Sequence, residues 1–537
     1  MELHTITGPP GTGKTTTLAR RIKAHVDEGV SRDKILVTSL TRAAAREAAR
    51  VVSLPDRQVG TWHSFAYHGL GEPQLTEQHI KDWNANYKQW QQSGGDRNGE
   101  VYLSSEDCAD GDKLMLEYSR RRAAGEDVHS RGSIYNFDRF AAAWEDWKTQ
   151  CGYADFNDVI DRACDLDAAP GDPDVIYCDE KQDLSLQEAK LAAKWGKRAQ
   201  LLCLAGDDHQ AIFGWRGSDP IAVRAVWDGL DVQDRKHTDL EQSYRIPSAV
   251  HRVAMRQMRQ CRTLQPVAYR PREEAGMVVG GPSFYPSGLT LAQTAMRYAG
   301  DDETIMFIAS CGYMLQSVMQ GLEQLGEPWR NPWRKAARVW NPMEASKGVS
   351  FYERVLAFMA PSQALWGENA RFWSVEQFKL WIQPLPVSGI FESRAKTQIG
   401  GLDSKTTPEQ IAEGMRNWFT ASALERITHC DLGWYLNQIA PGKLPMAGKI
   451  LKKMVERRQA ERVAKPPRMI IGTVHSLKGA EADVVCVCPD ISAAAGRASR
   501  VDNRVREEIN RVFYVAVTRA KRALILCAPS SNRFMPF

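Results

Sequence analysis

The sequence predicts an α/β protein of two lobes, each built on a parallel sheet, with two mainly helical stretches inserted into them. Three observations carry this. A short strand pattern at the N-terminus runs through a Gly-rich turn into a helix. Apolar runs of roughly four to six residues then alternate with helical patterns in two separate sets, the signature of strands buried on both faces. Two polar, Trp-rich stretches interrupt the sets, over about 72–140 and about 350–465.

The elements follow in order. "ELHTIT" reads as the first strand, "GPPGTGKT" as the turn and "TTTLARRIKAHVDEG" as the helix. "KILVTSL" at 34–40 is the next strand, followed by an Ala-rich helix through "RAAAREAARVV" and then the strands "DVIYCDE" and "LLCLAGD". The second set contains "TIMFIAS" at 304–310, "MIIGTVHS" at 469–476, "VVCVCPD" at 484–490 and "ALILCAP" at 523–529. This places the first lobe at 1–71 and 141–243, with 72–140 inserted. The second lobe covers 244–349 and 466–537, with 350–465 inserted. The second insertion ends in "KILKKMVERRQAERVAKPPR", a basic amphipathic helix closed by Pro466 and Pro467. Such a helix is either a solvated surface or a nucleic-acid contact.

Bulk properties narrow the class. At roughly 100–200 residues per domain, 537 residues suggest three or four domains. Hydrophobic content of 43% and charged content of 25% are those of an ordinary globular protein. "MELHTITGPP" has no basic region leading into an apolar core, so no signal peptide is expected. No apolar run approaches a membrane span. The eleven cysteines form no Cys-x-x-Cys pair, which argues against a zinc ribbon and for reduced, buried thiols. A net charge of +5 permits nucleic-acid binding without announcing it.

Gly8-x-x-x-x-Gly13-Lys14-Thr15 is a full P-loop pattern between a strand and a helix. Along the loop Gly8, Pro9, Pro10, Gly11, Thr12 and Gly13, the glycines would let the backbone N–H groups of the non-proline residues turn onto phosphate oxygens, with the positive end of the helix behind them. Lys14 would reach the β- and γ-phosphates, and the Thr15 hydroxyl would hold Mg²⁺ beside Thr16. In "VIYCDEKQD" an apolar strand delivers Asp179 and Glu180 to its C-terminal end, where parallel sheets bind ligands. Asp179 is placed for the Mg²⁺ shell, and Glu180 to polarise a water for attack on the γ-phosphate. A P-loop turn or an Asp-Glu pair alone could be structural, but together they predict NTP hydrolysis.

At this point the sequence resembles the UvrD/Rep-like superfamily 1 DNA helicases. The resemblance is carried by "GPPGTGKTT" at 8–16, "TSLTRAAAREAA" at 38–49, "GTWHSF" at 60–65 and "DEKQDLSLQE" at 179–188. It continues through "AGDDHQAIFGWRG" at 205–217, "LEQSYRIP" at 240–247, "GTVHSLKGAEADVV" at 472–485 and "EEINRVFYVAVTRAKRALIL" at 507–526. The order is that of the family and spans nearly the whole chain.

The resemblance implies two RecA-like lobes of the P-loop NTPase fold, with ATP and Mg²⁺ in the cleft between them. Gln210 would sense the γ-phosphate. Arg245 and, from the second lobe, Arg519 would contact it. Tyr244 would stack on the base and Glu481 would contact the ribose. His63, Phe65, Trp215 and His475 match strand-contacting positions, although a lone His or Phe near a strand end is commonly packing. The implied activity is ATP-driven translocation on single-stranded DNA with 3′→5′ unwinding, in repair, replication or recombination. The implied partners are single-stranded and tailed duplex DNA, with single-strand-binding, replication or repair proteins beyond them. No membrane is implied, and a monomeric or weakly self-associating chain in a bacterial or phage-infected host cytoplasm is expected.

The sequence also departs from the family. Met1 lies almost on the first strand, so the adenine-reading segment ahead of the P-loop is missing and strict ATP selectivity is not implied. Ala43 stands where the family often has Lys, and Lys181 replaces a common Ala at a position expected to face away from the phosphate. The chain is short for the family, so both insertions are trimmed. No further nuclease domain is expected after "ALILCAPSSNRFMPF". Two rival functions stay open: a DNA-stimulated ATPase that clears proteins from single strands without unwinding, and a P-loop NTPase switch with no DNA role, which has no use for the motifs at 472–526.

Overall fold

The computed structural model describes residues 1–40, 45–46, 49, 53–93, 110–129, 134–334, 339–345, 347–362 and 372–537. The expectation for Ala43 lies outside the described residues, as does much of the Ala-rich helix around it.

Two six-stranded sheets organise the chain, and every strand pairing in them is parallel. The first contains β1 (Glu2–Thr7), β2 (Ile35–Thr38), β3 (Val59–Gly60), β4 (Val175–Cys178), β5 (Leu201–Gly206) and β6 (Asp234–Asp239). The second contains β7 (Met277–Gly281), β8 (Ile305–Ala309), β9 (Trp329–Arg330), β10 (Met469–Thr473), β11 (Ala482–Val487) and β12 (Ala520–Cys527). Their spatial orders are β3-β2-β4-β5-β1-β6 and β7-β12-β11-β8-β10-β9. The α/β class and the two parallel lobes thus stand as expected.

Inner strands are apolar because helices cover both faces. Along β2 to β5, Leu36, Ile176, Leu202 and Leu204 join one core cluster, while Ile35, Val37, Val175, Tyr177 and Cys203 join the cluster on the opposite face. That division is the period-two alternation of a strand. Edge strands differ: β6, "DRKHTD", is almost wholly exposed. Charge on an edge discourages pairing with another chain.

The first Trp-rich stretch builds a core of its own, and the second extends the core of the second lobe. The core of the first runs past residue 140 along the helix Phe137–Cys151: Trp83 meets Trp144 at 4.9 Å and Trp147 at 5.4 Å, with Tyr118 and Phe140 beside them. A buried charge network ties this unit to the first lobe. Lys148 lies 2.7 Å from both Asp155 and Asp158, and Arg122 bonds Asp158 at 2.9 Å and Asp161 at 2.7 Å. In the second stretch, Phe358, Trp381, Trp418 and Tyr435 are continuous with the core on one face of the second sheet. Its basic helix is shorter than the sequence suggested, running Met446–Glu456 and then breaking at Arg458, whose φ is 58°. The apolar stripe of Ile450, Leu451 and Met454 needs another apolar residue one turn on, and Arg457 and Arg458 stand there.

Candidate active site and strand-contact surface

The P-loop joins β1 to the helix Lys14–Asp27. Gly11 (φ 78°) and Gly13 (φ 85°) take left-handed conformations that side chains disfavour. The loop also leans on the 243–245 segment. Ser243 Oγ and Tyr269 Oη donate to the Pro10 carbonyl at 3.0 and 2.9 Å, and a Cβ on Gly11 would lie 2.5 Å from Arg245 Cβ. Thr12 Oγ1 closes the loop on the Pro9 carbonyl at 2.8 Å, and Lys14 Nζ donates to the Gly8 carbonyl at 2.6 Å. Thr16 is exposed on the helix's first turn. Tyr244 donates its backbone N–H to the Gly11 carbonyl at 2.8 Å, and its side chain is 75% exposed. An open ring is thereby pinned beside the loop.

Three adjacent parallel strands converge here, since β5 separates β4 from β1. At the end of β4, Asp179 Oδ2 accepts from Thr15 Oγ1 at 2.9 Å, so the two expected Mg²⁺ donors are in contact. Burial first, then the charge of Glu180, pushes the Asp179 carboxyl up to about 6. A buried oxygen pair of this kind suits a hard cation, and two donors are few enough to share it with phosphate oxygens. Among the described residues no cluster of three His, Cys, Asp or Glu could hold a metal without such help. Glu180 sits at φ 57°, a strained position for a non-glycine residue, and Gln182 Nε2 donates to its Oε2. Burial would raise Glu180, but Lys478 and Lys14 outweigh it and keep the carboxylate below its ordinary range.

Gln210 follows β5 in a short turn, Asp208–Gln210. Its Nε2 donates to Asp207 Oδ2 at 2.9 Å, and its Oε1 accepts from Arg519 at 3.4 Å. Arg519 comes from the second lobe, just past the helix Asn503–Val517, and is 2% exposed. Burial, then Arg245, pushes its pKa down to about 10, which leaves it charged at neutral pH. Arg245 and Glu481 pair with each other at 2.6 Å. Each was expected to touch a different part of the nucleotide, and here they form one ion pair within the second lobe.

The strand-contact candidates divide. Thr61 caps the helix Trp62–Gly69 in a reciprocal capping box with Ser64, which presents His63. His63 Nδ1 lies 3.1 Å from Glu188, and its ring meets the exposed ring of Phe156 at 5.8 Å. Burial would raise Glu188, but the hydrogen bond and charge of His63, with Arg216, hold it at about 2. Phe65 is a correction. It is 4% exposed and packs into the core with Trp62 and Ala66, leaving no face for a base. Trp215 is half-buried, with Phe213 at 6.1 Å and the Arg216 guanidinium 6.0 Å from its ring. His475 is half-buried, and its Nε2 bonds the Ile212 carbonyl across the lobes at 3.0 Å.

Sequence reasoning missed Lys478, although it stands between His475 and Glu481 in a motif already singled out. Lys478 Nζ donates to Asp183 at 2.5 and 2.7 Å and to the Gln210 carbonyl at 2.7 Å, bridging the lobes beside Glu180. Lys181 donates to Asp208 at 2.8 Å and ties the β4 and β5 ends together. Ser243, which holds the loop from the far side, was also missed although it stands in "LEQSYRIP", and Tyr269 beside it left no recognisable signal.

Comparison with known proteins agrees with this geometry. The profile of the UvrD/REP helicase N-terminal domain matches residues 3–226, and that of the UvrD-like helicase C-terminal domain matches residues 446–531. A protein described as "Probable DNA helicase" from Mycoplasma pneumoniae is 30% identical over 271 residues, which is 45% of this chain. The match spans 50% of that relative's own length. Both profiles belong to one family and fall on the two lobes described above, and the chain is a member of the UvrD/REP-like helicase family.

Proposed function

We propose that the protein is an ATP-dependent single-stranded DNA translocase that unwinds duplexes with 3′→5′ polarity. The observation that carries this reading is the composite cleft. Lys14, Glu180 and Gln210 stand on the first lobe, and Arg519 reaches Gln210 from the second at 3.4 Å. Hydrolysis in such a cleft depends on the distance between lobes, and a strand crossing both would feel that distance change.

Thr15 and Asp179 would hold Mg²⁺, which when bound neutralises charge on the phosphate oxygens. The P-loop N–H groups and Lys14 bind the phosphates. Glu180, kept ionised, orients a water and accepts its proton. Gln210, Arg245 and Arg519 face the charge that develops on the transferred group. Tyr244 would offer its face to the base, and Glu481, paired with Arg245, would contact the sugar. His63, Trp215 and His475 remain the strand-contact candidates. Single-stranded DNA and tailed duplexes are the substrates, and a cytoplasmic setting suits them. Among the described residues no helix is long and apolar enough to cross a membrane.

The test is ATPase activity with and without single-stranded DNA, run beside displacement of 3′- and 5′-tailed duplexes. Stimulated hydrolysis with displacement from 3′ tails is expected. Displacement from 5′ tails would refute the polarity. Stimulation without displacement would favour a strand-clearing ATPase, and hydrolysis indifferent to DNA would remove the DNA role.

A further inference from the structure

The segment Gln210–Gly214 leaves the first sheet but is held by the second lobe at successive peptide groups. Lys478 and His475 take the carbonyls of Gln210 and Ile212. Two further residues, unused by the mechanism above, take the rest. Arg511 Nε donates to the Ala211 carbonyl at 2.6 Å, and Glu508 Oε1 accepts the Gly214 N–H at 2.9 Å. The side chains of Ile212 and Phe213 meanwhile sit in the second lobe's core.

Glu508 and Arg511 are three residues apart on the helix Asn503–Val517, and therefore on one face. Tyr514, one turn on, brings its ring 6.3 Å from that of His209, and Arg519 follows just past the helix end. The helix thus runs antiparallel to the strap, with 508 opposite 214 and 511 opposite 211. Gly214 shows how closely they fit: a Cβ there would lie 2.4 Å from Glu508 Oε2. The Arg511 side chain is buried, and burial raises the Glu508 carboxyl above its ordinary range. The Glu508 contact itself is part-buried.

We propose that Glu508 and Arg511 are positioning residues that lock the Ala211–Gly214 peptides to the Arg519-bearing helix, so that DNA at the adjoining Trp215 turn moves Gln210 and Arg519 as one unit. This rests on the ATP-and-DNA reading above.

Glu508→Ala removes the acceptor. Gly214→Ala displaces it from the other side, and because the atom displaced is the end of a flexible side chain, the fold should tolerate it. Glu508→Gln keeps an oxygen in place and should rescue. Each variant and the Glu508→Ala/Gly214→Ala double are assayed for ATPase with and without a poly(dT) oligonucleotide, and for melting temperature. The DNA-stimulated kcat should fall at least about ten-fold in each alanine variant, with basal kcat and KM for ATP within about two-fold, and the double should be no worse than the worse single because both remove one contact. Glu508→Gln should retain most of the stimulation. Basal and stimulated rates falling together, losses that multiply in the double, or failure of Glu508→Gln to rescue would overturn the proposal. A stimulated parent with unaffected variants overturns it alone. A parent that DNA does not stimulate overturns the functional reading and this inference with it. If Glu508→Ala does not fold, Gly214→Ala and Glu508→Gln decide.

Discussion

Replacing Arg519 with Ala separates catalysis from stability, because the structure assigns the two different sizes. The guanidinium donates to the Val515 carbonyl at 2.9 Å, the Ala480 carbonyl at 3.4 Å, Gln210 Oε1 at 3.4 Å and Thr518 Oγ1 at 3.2 Å. The Val515 carbonyl also accepts from Thr518 Oγ1 at 2.9 Å, so truncation does not orphan it. Thr518 Oγ1 keeps that same bond, so only the Ala480 carbonyl and Gln210 Oε1 depend on the guanidinium, and both bonds are long. A stability loss of about 1–3 kcal/mol follows, within what an ordinary fold survives. The catalytic loss should be larger. An arginine that stabilises transferred phosphate is worth roughly 10³–10⁵ in rate, or about 4–7 kcal/mol of barrier. Arg519→Lys should recover little, because one ammonium cannot span the sites of a planar fork. The assay is steady-state ATPase at saturating ATP and single-stranded DNA, with a melting curve on the same sample. Arg519→Ala turning over within about ten-fold of the parent would refute the assignment.

Three further outcomes are expected. Lys14→Ala should weaken nucleotide binding, whereas Glu180→Gln should bind ATP normally and stop the chemical step; near-parent turnover by Glu180→Gln would remove it from catalysis. Phe65→Ala should cost about 3–5 kcal/mol of stability, as a core truncation does, and leave the strand affinity of the folded protein intact; the reverse pattern would restore Phe65 to the DNA surface. Glu188 is held at about 2 against an ordinary 4.5, a depressed carboxylate whose contribution is present above pH 4.5 and lost as pH falls toward 2. The difference is worth about 3 kcal/mol, so Glu188→Gln should be less stable than the parent in urea at neutral pH and converge with it in acid; equal stability at neutral pH would show that the pair with His63 contributes nothing.

The parts of this molecule legible in its sequence are those whose signals are local. Inner strands such as "VIYC" and "LLCLAG" announce themselves because burial on both faces demands unbroken apolar runs. The P-loop and the Asp-Glu pair are dictated by phosphate and metal chemistry within a few residues. Short or polar strands stayed hidden: β3 and β9 have two residues each, and β6 carries charge where an edge needs it. Phe65 could have been read correctly, since Trp62, Phe65 and Ala66 recur at helical spacing and share a buried face. The contacts of His475 and Glu508 could not. Their partners Ile212 and Gly214 lie 263 and 294 residues away, and only the docking of one lobe on the other brings them together.

That docking explains why "GDDHQAIFGWRG" is polar at one end and aromatic at the other. Its middle is held by the second lobe, and Gln182 of the first lobe bonds both its start and the residue just past its end. The Asp207 N–H donates to Gln182 Oε1 at 2.9 Å, and Ser218 Oγ donates to the Gln182 carbonyl at 2.8 Å. The Gln182 amide nitrogen bonds Glu180, and a Cβ on Gly206 would strike the amide oxygen. Gly217 (φ 83°) rests on Ala123 of the inserted helix Asp110–Ala124, which Arg122 ties to Asp158 and Asp161, so the aromatic end cannot simply slide away. Pulling the strap with the second lobe therefore loads Gln182, and through it the carboxylate that orients water. Gln182→Ala should consequently lower kcat at least about ten-fold both with and without DNA, leaving KM for ATP near the parent's, because Glu180 loses its holder whether or not the strap moves. Glu508→Ala, by contrast, should spare the basal rate. If Gln182→Ala lost only the stimulated rate, Glu180 would be held without Gln182, and the route from strap to carboxylate would have to run elsewhere.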